Sequence, residues 1–166
     1  MTISQTAEYA LRAVVWLASR PDMNLSTQQI AEVTRVPAGY LSKVLQALAR
    51  AGLVASQPGR TGGFQLTRPA REISVLDVVN AVDPVQRIRS CPLLLLSHEH
   101  ELCPLHRRLD QALANVERAF AESTIAELIS EPARNVPLCE LQRAARPSGA
   151  SRQTAKARKQ RTRQKG

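Results

Sequence analysis

Aromatic side chains are almost missing from this chain: two Phe, two Tyr and one Trp make up 3% of its 166 residues. A core built without them must draw on Leu, Val, Ile and Ala, which favours packed helices. The 43% apolar share suits one compact domain with appendages rather than two independent domains. Missing too is any run of the ~18 uninterrupted apolar residues that a membrane span needs. The opening Met1-Thr2-Ile3-Ser4-Gln5 lacks the basic and apolar regions of a secretory signal, so a cytoplasmic chain is expected. Cysteine is scarce, and three is an odd number, which argues against a disulfide framework and leaves metal binding, redox sensing or packing as the uses of the thiols.

Acidic residues are absent from Arg146 to Gly166, where eight Lys or Arg stand. Only 15 of the chain's 23 basic residues therefore face its 14 acidic ones, and the net charge of +9 reports mainly this tail. With almost nothing apolar to bury, the tail is expected to be disordered. It can add non-specific attraction to phosphates or serve solubility alone. There is no internal repeat, and no nucleophile and base are arranged for catalysis. Gly59 to Gly63 imitates a phosphate loop only superficially, because a strand rather than a helix follows it, so an enzyme is not expected.

What is present is helical periodicity. Ala7, Ala10, Leu11, Val14, Val15 and Ala18 recur at helical spacing up to Pro21, predicting a first helix from about Gln5 to Ser19. Ser26-Thr27-Gln28-Gln29 has capping-box form and starts a short second helix. Pro37 suits the first position of a third, which runs to Ala51 before Gly52 stops it. Leu41, Val44, Leu45 and Leu48 form its inner stripe, while Ala38, Gly39, Ser42, Lys43, Gln46 and Arg50 lie opposite. Leu53 to Ser56 and Phe64 to Thr67 read as a two-stranded hairpin around the turn-rich Gln57 to Gly63, with Arg60 at its tip. Ser74 to Asp77 caps a fourth helix ending at Asp83-Pro84. Pro104 opens a long one, along which Leu105, Leu109, Ala112, Leu113, Val116 and Phe120 form the seam of a helix packed on a partner helix. Thr124 to Glu127 caps a short last helix before Pro132 and Pro137.

The expected fold class is mainly α with a small β-hairpin wing: a winged helix-turn-helix plus a long dimerisation helix. The expected divisions are 1–83 for the winged helix-turn-helix, 84–103 for a Cys/His loop, 104–131 for the dimerisation helix and its short follower, and 132–166 for a C-terminal segment with the basic tail. Two short helices across a tight turn can present the second to the major groove of DNA, which is ~12 Å wide, and a basic wing can reach a neighbouring minor groove.

Glu8 to Arg12, Leu25 to Ala31, Tyr40 to Leu48, Gly52-Leu53-Val54, Gly59 to Phe64 and Ile73 to Asp83 together resemble the Rrf-type, IscR/NsrR-like family of transcription regulators, over roughly Met1 to Ser130. The resemblance implies a homodimer, joined by the helix from about Leu105 to Phe120 and binding double-stranded DNA as a repressor or dual regulator. It also implies that Ala38, Gly39, Tyr40, Ser42 and Lys43 lie in or beside the major groove, with Arg60 and Gly62 on the wing. Gln46, and Ser26, Thr27 and Gln28 at the start of the second helix, complete the candidate DNA-contacting set.

Between Cys91 and His106 the chain gathers two cysteines and all three histidines, His98, His100 and His106, a soft donor set that suits zinc, iron or an iron-sulfur cluster. If Cys103 caps the long helix, the helix dipole favours its thiolate, and His106 follows one turn later on the same side. Cluster-binding relatives space three cysteines over this loop, with a histidine three residues after the last in the IscR type. Cys91, Cys103 and His106 match, but Ser97 stands in the middle place. Substitute ligands would be His98, His100 or Glu8, which matches the place where some relatives supply a carboxylate from the partner subunit. Three uses of the loop stand open: an iron-sulfur cluster, zinc or a bare thiol switch, and no sensing role. Cys139, isolated between Leu138 and Glu140, is expected to be a packed or surface thiol. The functions weighed are a cytoplasmic, nucleoid-associated regulator responding to redox, iron-sulfur or nitric oxide status, a winged-helix regulator without a cluster, and a non-specific architectural DNA-binding protein acting through the basic tail.

Overall fold

The computed structural model of the chain describes residues 3–59, 62–92, 101–131 and 138. Arg60, Ser97, His98, His100, Cys139 and the basic tail lie outside the described residues.

Helix α1, Gln5–Ala18, is the centre of the core. Ser4 caps it by accepting the Ala7 N–H at 3.2 Å, and Ala7, Ala10, Ala13, Val14, Val15, Trp16 and Leu17 are buried. Three of these are Ala, and their small side chains let four neighbouring helices approach this one rod closely. Helix α2, Thr27–Thr34, starts at the expected capping box: the Ser26 hydroxyl accepts the Gln29 N–H at 3.2 Å, and the Gln29 side chain accepts the Ser26 N–H at 2.8 Å. Arg35, in a left-handed conformation at φ 55°, turns the chain, and buried Val36 pins the turn. Helix α3, Ala38–Arg50, begins one residue later than expected, with Pro37 outside it as the capping residue. Its Leu41, Val44, Leu45 and Leu48 are buried, and Gly52 ends it at φ 72°, a conformation glycine adopts without steric cost.

Strands β1, Val54–Gln57, and β2, Gly63–Leu66, form the antiparallel wing, pairing Val54 with Leu66 and Gln57 with Gly63. Both stand one residue from their expected positions. A reason is visible in an unforeseen third partner: Leu25 and Phe64 exchange backbone hydrogen bonds of 3.0 and 2.8 Å, which set the register of β2 from outside the hairpin. A short 3-10 turn at Ala70–Glu72 leads to α4, Val75–Val82, whose Ser74 and Asp77 form the second expected box. Helix α5, Pro104–Glu122, opens on its proline at the N-terminal end, and α6, Ile125–Ser130, opens on the third box, Thr124 with Glu127. The chain then returns to the body. The Val75 N–H donates to Ser123 O and the Ile125 N–H to Ile73 O, each at 2.9 Å, and Ile125 is fully buried beside α1.

The expected seam of α5 splits into two. Leu113, Val116 and Phe120 turn inward and, with Ile3, Ala7, Val79 and Val85, line a groove of about 240 Å³. Leu105 and Leu109 stay 63% and 48% exposed. Among the described residues no helix is long and apolar enough to cross a membrane.

Candidate nucleic-acid interface and sensor segment

The outward face of α3 is built by the same periodicity that buries its leucines. Gly39, Tyr40, Lys43, Gln46 and Arg50 are exposed, and Ala38 and Ser42 are half-buried. Ser42 donates its hydroxyl to the Ala38 carbonyl at 3.1 Å, so its oxygen lone pairs remain to accept from a ligand. A side chain at Gly39 would meet nothing within 4 Å. No packing demand explains this glycine, which lowers helix propensity by ~1 kcal/mol relative to Ala.

Tyr40 is anchored rather than free. Its hydroxyl is hydrogen-bonded to that of Thr6, and its ring meets Tyr9 edge-on, with centroids 5.7 Å apart. The Arg12 guanidinium lies 5.6 Å from the Tyr9 ring centroid, donates to Glu8 at 2.7 Å and reaches the Thr34 carbonyl at 3.2 Å. Glu8 thus sits in a network joining α1 to the end of α2 and the start of α3, with its carboxylate engaged by Arg12. Of the α2 candidates, Ser26 serves as the cap, Thr27 is half-buried, and exposed Gln28 donates to Glu32 at 3.1 Å.

On the wing, Gly62 donates its N–H to Gly59 O at 3.0 Å. A Cβ there would fall 2.2 Å from Gln57 O, and one at Gly63 would fall 2.7 Å from the Leu25 backbone. Both glycines have a steric reason, which the sequence left unstated. Asn24 ties the wing to the loop before α2 by donating to Gln57 at 2.9 Å.

In the Cys/His segment, Cys103 caps α5 as expected, and its Sγ lies 3.4 Å from His106 Nδ1. Cys91 is 4% exposed. Among the described residues no three His, Cys, Asp or Glu side chains converge as a metal site. The donors in place are a thiol and an imidazole side by side, a pair that fits one side of a soft-metal site, and further ligands would have to come from elsewhere.

A charged cluster went unforeseen. Arg87, in the irregular segment after α4, donates from Nε to Asp110 Oδ1 at 2.7 Å, from Nη2 to Asp110 Oδ2 at 2.6 Å, and from Nη1 to Glu117 Oε2 at 3.0 Å. These hydrogen bonds from Arg87 hold the Asp110 carboxyl below the usual carboxylate range against the opposing effect of burial, and the Ile88 N–H assists at 3.0 Å. The available signal was the seven-residue spacing of the two acids, which places them on one face of α5 two turns apart.

A family model described as "Rrf2: Iron-dependent Transcriptional regulator" matches residues 3–131. Among solved structures, CymR (YrzC), the global cysteine regulator of B. subtilis, is similar with a TM-score of 0.64 at 23% identity, over 76% of this chain and 94% of that one. T. potens IscR is similar with a TM-score of 0.63 at 23% identity, over 89% of this chain and 93% of its own. Staphylococcus aureus CymR in its oxidized form gives a TM-score of 0.62 at 28% identity, over 81% of this chain and all of that chain.

Proposed function

This chain belongs to the Rrf2 family of transcriptional regulators, whose members bind DNA and are typically dimeric, and from that membership we propose how it reads its operator and how it is controlled. It is a DNA-binding regulator, not an enzyme. In our reading two copies associate through α5, and each inserts α3 into a major groove. Gly39 allows close approach there, Ser42 and Gln46 meet base edges, and Lys43 meets a phosphate. Tyr40 holds the first turn of α3 against α1, and the cap at Ser26 orients α2 over the DNA backbone, with Thr27 and Gln28 beside it. The wing, with Gly62 and with Arg60 as expected from the sequence, follows the adjoining minor groove. The observation that carries this reading is the division of α3: Leu41, Val44, Leu45 and Leu48 are no more than 2% exposed, whereas Lys43 and Gln46 on the opposite side are exposed.

The test is a duplex selected by the protein from a random-sequence pool. Lys43→Ala should weaken binding to all duplexes and reduce the salt slope by ~1, while Gln46→Ala should lose ~1–3 kcal/mol of discrimination at one base position. Removing residues 146–166 should leave discrimination intact. If that removal abolishes all binding, the architectural alternative takes over.

For control, we assign Cys103 and His106, with Cys91, as this chain's donors to an iron-sulfur cluster, completed by His98, His100 or Glu8 of the partner subunit. When bound, such a cluster supplies a centre sensitive to oxidants and nitric oxide. The chain's own part is to hold a thiol and an imidazole side by side at the N-terminal end of α5. The Cys103–His106 contact also favours a zinc or thiol switch. Visible absorption with iron, sulfide and zinc analysis of anaerobically purified protein separates these. Iron, sulfide and colour lost in Cys103→Ala support the cluster; colourless zinc supports the second reading; neither metal supports a thiol switch or no sensing role.

A further inference from the structure

The segment 84–92 links the winged helix to the sensor loop without regular secondary structure. At its start, the Val85 N–H donates to Asn80 of α4 at 3.3 Å and the Val85 side chain packs on the core. Four residues beyond Arg87 lies buried Cys91. Between these two points Arg87 ties the segment to α5 with three hydrogen bonds to two carboxylates, and the Ile88 backbone adds a fourth. The side chains of Arg87, Asp110 and Glu117 are only 24%, 21% and 34% exposed, so the cluster is shielded from the solvent that weakens surface pairs.

Its geometry is restrictive. The planar guanidinium engages Asp110 in a fork and Glu117 from its remaining edge, which fixes both the position along α5 and the rotation about it. Slippage of α5 by one turn, about 5.4 Å, would break every bond. The position along the helix matters as well. The C-terminal end of α5 is already fastened to the body through Ser123 and Ile125, whereas its N-terminal half carries exposed Leu105 and Leu109. Phe120, Val116 and Leu113 seat the C-terminal half of α5 on the body; about 20 Å of helix separates Ser123 from Asp110, and Arg87 is placed to stop the half beyond them swinging.

We propose that Arg87 is a positioning residue for operator binding: by clasping Asp110 and Glu117 it fixes the angle between the winged helix and α5, and so the separation of the two recognition helices in the dimer. This rests on the homodimer reading above, in which α5 joins the two copies. Arg87 itself touches no DNA; what it controls is how strictly the dimer demands one spacing between half-sites. One added base pair rotates a half-site by about 35° around the duplex, a displacement that a rigid dimer resists and a loosened one accommodates.

The experiment uses the full chain and the duplex selected from a random pool. Affinity is measured for that duplex, for versions with one base pair inserted or removed between half-sites, and for a single half-site, alongside sedimentation and thermal melting. For Arg87→Met the expected result is unchanged half-site affinity, an intact dimer, and discrimination between correct and altered spacing reduced about tenfold, with partial recovery in Arg87→Lys. Asp110→Asn, which keeps the side chain's shape, should move spacing discrimination in the same direction. Unaltered spacing discrimination in Arg87→Met and Asp110→Asn overturns the proposal, as does a loss of half-site affinity parallel to the loss of discrimination, which would mark a merely structural role. A wild-type chain that selects no paired half-sites overturns the homodimer reading and this proposal with it.

Discussion

Helices α1 and α5 share an amphipathic design but not a fate. The 14 residues of α1 bury seven side chains, whereas the 19 residues of α5 bury none. Around α1 the chain supplies its own cover from four helices and the wing. Around α5 it supplies α4, the segment after it and one cluster of ion pairs, and leaves Leu105 and Leu109 open. A long helix draws most of its stability from packing its apolar face, so the difference locates where one chain is self-sufficient and where the proposed dimer would add the missing cover. In the proposed reading it also separates roles: the saturated body presents the DNA-contacting face, and the unsaturated helix is where assembly and control would act.

Three changes would break or sharpen this contrast. The largest effect is expected in the self-sufficient half: Leu45→Ala, at a fully buried position, should cost about 2–5 kcal/mol of stability and lower the thermal midpoint of the whole chain. A loss under about 1 kcal/mol would mean that α3 is not fixed by its inner stripe. Next, replacing Leu105 and Leu109 together by Asp should convert the dimer to a monomer in sedimentation and abolish tight operator binding, while the circular dichroism of the winged helix persists. A variant that stays dimeric would remove α5 from the interface. The smallest effect separates stability from function at one position. Gly39→Ala should raise stability by up to about 1 kcal/mol, because the added methyl meets nothing, yet weaken operator binding by closing the space left for DNA. If affinity holds while stability rises, the DNA does not approach there.

Much of the fold, and the Cys103–His106 contact within the candidate site, was readable in advance because the signals are local. Ser26 with Gln29, Ser74 with Asp77, and Thr124 with Glu127 each close a box within four residues, and all three form. The spacing of Cys103 and His106 places them together for the same reason. Tyr40 shows the opposite case. The family resemblance implied a place for it in or beside the major groove, but its hydroxyl is taken by Thr6, 34 positions away, and its ring by Tyr9. Likewise the pairing of Leu25 with Phe64 and of Ser74 with Thr124 joins segments with no shared pattern.

From sequence alone came the helices, their three capping boxes, the hairpin and the two faces of α3, since each is decided by contacts between residues one turn or one strand pair apart. Tertiary structure alone decided that Arg87 would find Asp110 and Glu117, 23 and 30 residues away, and that α5 would cover half of its seam and leave the rest open. Such partners are chosen when finished elements dock, and docking depends on the shape of the whole body rather than on any one stretch of it.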